Sequence, residues 1–162
     1  MPCEKGPHKE KVVRKTLFIL ISFLMLAAAG QTAGRRFDGT WNTTVVCDAR
    51  NNASGYTWHF VSTITANVLH GERGTAGQPA YLSIDGKIGD DGKARLTASG
   101  ITGSKEYTHA PTKVEGEDYS YEVKSQFTDT EGKGERSTGL GIAGRPCHYV
   151  FEKQASAAAI KP

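Results

Sequence analysis

The sequence predicts an all-β protein: a single antiparallel up-and-down barrel of seven or eight strands, behind an N-terminal signal helix. Three observations predict it. Apolar and polar residues alternate with period two in run after run between residues 37 and 153. No stretch beyond residue 30 sustains a helical stripe, and clusters of Gly, Asn and Asp separate the alternating runs. A β-sandwich would accept the same strand count and spacing, and is the alternative.

The N-terminal segment comes first. Lys5, Lys9, Lys11, Arg14 and Lys15 stand against Glu4 and Glu10, and an uncharged run from Leu17 to Ala29 follows. Ala27-Ala28-Ala29-Gly30 then supplies the small residues a signal peptidase accepts. The run is shorter than the ~20 residues that span a bilayer, so cleavage after Ala29 or Gly30 is expected rather than a membrane anchor. Arg35-Arg36 lies behind the apolar run and Cys3 ahead of it, which suits neither a twin-arginine signal nor a lipid-bearing cysteine. The expected organisation is a signal peptide over 1–30, a barrel domain over 31–153 and a disordered tail over 154–162, with periplasmic or secreted localisation.

Cleavage removes five of the 20 Lys+Arg and two of the 17 Asp+Glu, leaving 15 of each. A neutral mature chain has no basic footprint for nucleic acid or for an anionic membrane surface. Of the three cysteines, Cys3 leaves with the leader. Cys47 and Cys147 remain, and an even pair in an oxidising compartment reads as a disulfide. A redox-active pair would favour C-x-x-C spacing, which the chain lacks.

The strands follow in order. Phe37 to Cys47 puts Phe37, Trp41, Val45 and Cys47 on one face. After the polar loop 48–55, Tyr56 to Ala66 aligns Tyr56, Trp58, Phe60, Ile64 and Ala66. Asn67 turns the chain into a shorter strand, Val68 to Arg73, and 74–79 is loop. Tyr81 to Ile88 and Ala94 to Thr102 form a hairpin about Asp91-Gly92. The polar segment 103–118, with Pro111, is a long loop placed to cover a barrel mouth. Tyr119 to Phe127 aligns Tyr119, Tyr121, Val123 and Phe127, and Gly132 to Ser137 is a short strand. The apolar, Gly-rich loop 139–144 carries Leu140 and Ile142. Pro146 to Lys153 groups Cys147, Tyr149 and Phe151. Cys47 ends the first strand and Cys147 begins the last, both inward, as pairing of those strands in a closed barrel would require. Gly71-Glu72-Arg73-Gly74 echoes Gly134-Glu135-Arg136-Ser137, too briefly to establish a repeat.

Gly39-Thr40-Trp41 is a G-x-W on the first strand of a small exported barrel, and in this it resembles the calycin group: lipocalins, avidins and bacterial metalloprotease inhibitors. The resemblance covers the first strand and the general strand pattern. It implies that Trp41 packs across the barrel floor and that the open end takes a ligand or forms a contact surface. Asn42-Thr43-Thr44 does not carry an avidin-type biotin pocket, and 31–36 shows no protease-inserting segment. The chain as a whole also resembles small exported proteins of Gram-negative bacteria.

Chemistry-bearing motifs are scarce. His59, His70, His109 and His148 lack metal-site spacing, so no metal and no cofactor are expected. Asp85 to Gly92 fails an EF-hand at Lys87, and Gly139-x-Gly141-x-x-Gly144 precedes Pro146 and a strand rather than a helix. Ser104, Ser120 and Ser125 lack a nucleophile elbow, and no acid–base pair stands out. The aromatic residues remain. Trp41, Tyr56, Trp58, Tyr119 and Tyr121 are the candidate ligand-binding set, in an interior either filled by side chains or hollow enough for one small ligand. The expected function is a non-enzymatic, exported binding module for a small apolar or aromatic ligand. The alternative is a periplasmic protein-interaction or protease-inhibitor-like role through loops 48–55, 103–118 and 139–144.

Overall fold

Successive side chains of a strand point to opposite faces, so eight alternating runs share one interior when the sheet closes on itself. The computed structural model, which describes residues 36–50, 52–107, 115–137 and 145–155, has that closure. The strands are β1 (Gly39–Cys47), β2 (Tyr56–Thr65), β3 (Val68–Arg73), β4 (Leu82–Lys87), β5 (Lys93–Ile101), β6 (Asp118–Phe127), β7 (Glu131–Arg136) and β8 (Cys147–Lys153). One 3-10 turn, Lys105–Tyr107, interrupts the β5–β6 connection.

The strands run in sequence order round the barrel, every neighbour antiparallel, with β1 hydrogen-bonded to both β2 and β8. Eight strands are therefore present, and the sheet is a barrel rather than a sandwich. Strand ends differ from the sequence alternation by a residue or two: Tyr81, Ile88 and Thr102 fall outside the ladders, while Asp118 joins β6. The described residues belong to one compact unit, Gly34–Pro162. The expected signal segment 1–30, residues 108–114 of the long loop with His109, Leu140 and Ile142 of 139–144, and the tail from 156 lie outside them.

The two ends of the barrel differ because the connections differ. At one end the links are tight. Ala66 (φ 52°) and Asn67 (φ 62°) make a two-residue turn of the kind that matches strand twist, and the Asp38 carboxylate accepts hydrogen bonds from both amides at 3.0 and 3.1 Å. Residues 88–92 and 128–130 close the other two hairpins at this end. The longer connections 48–55, 74–81, 102–117 and 137–146 join strand ends at the opposite end.

The tight-turn end is solid. Phe37, Trp41, Phe127 and Phe151 are each at most 2% exposed. Phe127 meets Phe37 and Trp41 edge-on, with centroids 6.3 and 5.7 Å apart, and tilts against Phe151 at 4.9 Å. Ile64, Leu69, Ile88 and Leu96 complete this floor. A polar layer follows, in which the Thr43 and Ser62 hydroxyls share a hydrogen bond of 2.7 Å. At the loop-rich end Cys47 and Cys147 are directly opposed on β1 and β8, Cα atoms 4.1 Å apart, and bonded. Among the described residues no helix is long and apolar enough to cross a membrane.

Candidate functional site

Burial along β2 changes partway. Ser62 and Ile64 are buried, whereas Tyr56, Trp58 and Phe60 on the same inward face are only half-buried. Along β6, Val123, Ser125 and Phe127 are buried, whereas Tyr119 and Tyr121 are half-buried. Inward side chains that stay partly exposed show that solvent enters the loop-rich end to about the level of Phe60 and Tyr121. That end is the mouth.

In a ring of eight strands, β2 and β6 stand diametrically opposite, so two aromatic walls face each other. Spacing of i, i+2 puts neighbouring rings on one face, and they stack: Tyr56 on Trp58 at 4.4 Å, Tyr119 on Tyr121 at 5.9 Å. Tyr107 meets Tyr56 edge-on at 6.0 Å. The Tyr119 hydroxyl donates to the Tyr81 carbonyl at 3.2 Å, and the Tyr121 and Tyr149 hydroxyls share a bond of 2.7 Å.

Three arginines enter the same space. Arg73 ends β3 and Arg136 ends β7, both at inward positions in strands that again face each other across the barrel. The Arg73 guanidinium lies 4.1 Å over Trp58 and that of Arg136 lies 4.1 Å over Tyr121. Arg145, just before β8, lies 5.1 Å over Tyr56 and donates to the Ser54 carbonyl at 2.8 Å.

The brief Gly-Glu-Arg echo of the sequence acquires a structural meaning here. One constant offset relates Tyr56, Trp58, Ser62, Gly71 and Arg73 to Tyr119, Tyr121, Ser125, Gly134 and Arg136. The hairpins β2–β3 and β6–β7 thus present equivalent side chains from opposite walls. The glycines serve one purpose in both: a Cβ on Gly71 would come within 2.1 Å of Ser62 Oγ, and one on Gly134 within 2.4 Å of Ser125 Oγ. Glycine leaves room for the hydroxyl below each arginine.

The environment keeps the phenols protonated. Burial, then the neighbouring Tyr121, pushes Tyr56 up to about 12, against an opposing pull from Arg145, Arg136 and Arg73. Burial is also the main cause that raises Tyr119, Tyr121 and Tyr149. A phenol raised on folding contributes stability that is whole below the ordinary value of 10.0 and is lost as pH rises through about 12. An alkaline titration followed by tyrosinate absorbance, comparing the wild type with Tyr56→Phe, is expected to show no ionisation of Tyr56 near pH 10. Ionisation there would mean that the half-buried ring is not desolvated enough to hold its proton.

Of the five aromatic residues singled out from the sequence, the fold gathers Tyr56, Trp58, Tyr119 and Tyr121 at the mouth. It places Trp41 in the floor, 0% exposed. Sequence reasoning passed over Arg73, Arg136 and Arg145; the inward parity of the first two within their strands was the available signal. Elsewhere an outer groove of ≈ 870 Å³ on β5–β7 carries Lys93, Arg95, Lys124 and Lys133. Lys93 and Arg95 already pair with Asp91 and Glu122, which makes it a solvated charged face. His70, exposed on β3, is held by Asp85 at 2.6 Å, which raises its pKa. Among the described residues no group of three or more His, Cys, Asp or Glu side chains is arranged to hold a metal ion. Compared with protein-family models, with curated proteins and with solved structures, the chain matches none.

Proposed function

We propose that this protein is an exported, non-enzymatic binding module that takes a small aromatic or apolar ligand into the barrel mouth. One observation carries the reading. Tyr56, Trp58, Phe60, Tyr119 and Tyr121 face the interior yet remain half-buried, while the inward positions beyond them are closed. Wet aromatic surface inside a rigid cup is surface that a flat ligand can dry. Burial contributes about 25 cal/mol per Å² of apolar area, and well-placed ring pairs add about 0.5–1.5 kcal/mol each. The filled floor confines the ligand to the mouth. Protonated phenols and guanidinium groups donate hydrogen bonds at neutral pH, which suits recognition better than proton transfer. The disulfide and the leader-like N-terminal sequence both favour a periplasmic or secreted location.

A protein-interaction role, inhibitor-like or otherwise, is the second reading. The strand ends that the connections 48–55, 102–117 and 137–146 join lie at one end of the barrel, which favours it. Native mass spectrometry of protein purified gently from the exported fraction of its host separates the two. An added small-molecule mass that leaves on denaturation is the expected result. A bare mass, together with co-purification of a second protein, would replace the ligand reading with the interaction reading.

A further inference from the structure

The mouth concentrates positive charge without an internal counter-charge. Arg73, Arg136 and Arg145 form no ion pair with a carboxylate among the described residues. Of the acids at this end, Glu72 accepts from Tyr81, Glu106 and Asp118 are exposed, and the half-buried Glu117 forms no ion pair with the three arginines. Arg145 is the most constrained of the three. It is 3% exposed, and its buried Nη2 has no hydrogen-bond partner. A buried guanidinium N–H without an acceptor is unfavourable unless a ligand or water supplies one.

Stacking does not consume these groups. A guanidinium over a ring uses its face, while its N–H donors project in the guanidinium plane. Arg73 commits Nη1 to the Ala80 carbonyl at 2.7 Å and Arg145 commits Nη1 to the Ser54 carbonyl at 2.8 Å, which leaves their other donors for an anion. The rings also hold each guanidinium in place, so little side-chain freedom is lost when an anion arrives. Tyr56 and Tyr119 add phenol groups beside them: Arg145 lies over Tyr56 and Arg73 over Trp58, two rings that stack at 4.4 Å, while Arg136 lies over Tyr121 on the facing wall.

We infer that the ligand is an aromatic or apolar acid, whose flat body stacks between the β2 and β6 walls while its anionic group, a carboxylate, sulfonate or phosphate, is held by Arg73, Arg136 and Arg145. This rests on the ligand-cup reading above and narrows it to one chemical class. Arginine suits the task because its fork of donors matches planar oxyanions, and it stays charged in this apolar setting. Three such groups, at the ends of β3 and β7 and just before β8, also exclude ligands that leave the buried Arg145 donor unpaired.

Two fluorescent probes isolate the charge. 8-Anilinonaphthalene-1-sulfonate and N-phenyl-1-naphthylamine share a ring system and differ by the sulfonate. Both are titrated against the intact, oxidised protein. The sulfonate is expected to bind about tenfold more tightly or better, the lower range for hydrogen bonds to a charged group. In Arg73→Gln/Arg136→Gln that preference, read as the ratio of the two affinities, is expected to fall to threefold or less, roughly what loss of charge-assisted bonds implies. Both residues end strands and are half-buried, so the pair avoids the folding risk of replacing Arg145; circular dichroism confirms the fold. Arg95→Gln, on the outer face, is the control and should leave both probes as in the wild type. Equal binding of the two probes, or a preference that survives the double substitution, overturns the anion assignment while leaving the cup. If neither probe binds, the cup reading itself fails and takes this inference with it.

Discussion

Replacing both Cys47 and Cys147 by Ala is expected to lower stability by about 3–5 kcal/mol, the largest effect of any change at the mouth. The bond joins residues 100 positions apart. Without it, the unfolded chain regains the conformational freedom of that whole loop. The location sharpens the effect. The β1–β8 ladder, from Trp41↔Lys153 to Cys47↔Cys147, is the pairing of greatest sequence separation, so its closure entropy is the highest in the barrel. The disulfide sits at the last register position of that ladder, where the ends would otherwise fray. Alanine is the informative replacement, because both cysteines are 1% exposed and serine would bury an unpaired hydroxyl. Urea unfolding of the oxidised wild type, the reduced wild type and the double variant provides the measurement. The reduced protein and the variant should lose similar amounts because both lose the cross-link, the variant slightly more because it also loses sulfur packing. A loss below about 1 kcal/mol would show that the denatured chain was already constrained or that native strain offsets the gain.

What was legible in the sequence followed side-chain size. Where inward residues are large, as in Trp41-x-Thr43-x-Val45-x-Cys47 or Tyr119-x-Tyr121-x-Val123, period-two alternation revealed the strand and its buried face. Strand β7 was harder, because its inward residues Gly132, Gly134 and Arg136 carry no apolar signal. Glycine stands there because neighbours already fill the space, Ser125 Oγ at Gly134 being one. Hydropathy cannot register a position whose purpose is to be empty. The arginines were missed for a related reason. At a strand end a charged residue reads as solvated, and only the closed ring shows that Arg73 and Arg136 point inward and face each other. The Gly-Glu-Arg echo held that information, but three residues mean little until the register assigns them to opposite walls. Barrel against sandwich was likewise a matter of one ladder, β1 with β8, that no local pattern encodes.

Replacing Trp41 tests whether the floor and the mouth are separate. Trp41→Ala is expected to destabilise the barrel by about 3–5 kcal/mol, as for other buried large aromatic truncations. The ring is 0% exposed, meets Phe127 edge-on at 5.7 Å, and donates from Nε1 to the Phe37 carbonyl at 2.9 Å. Lys153 Nζ lies 5.7 Å over its outer face and bonds the Arg36 carbonyl at 3.1 Å, so the end of β8 is pinned across the ring. Gly39 permits that crossing: at φ 142° it adopts backbone that side chains disfavour, and a Cβ would stand 3.0 Å from Lys153 Cε. The G-x-W signature therefore encodes a plug and the clearance for the side chain that covers it. Trp41→Phe keeps most of the volume and should cost less, about 1–3 kcal/mol, chiefly the vacated ring space and the Phe37 carbonyl left without its donor. That milder variant can then be assayed for ligand. If the floor is only structural, Trp41→Phe binds the anionic naphthalene probe as the wild type does, whereas Trp58→Ala, at the mouth, weakens it severalfold through lost stacking. Equal weakening by both would place Trp41 against the ligand, and the solid floor drawn by Phe37, Phe127 and Phe151 would have to open in solution.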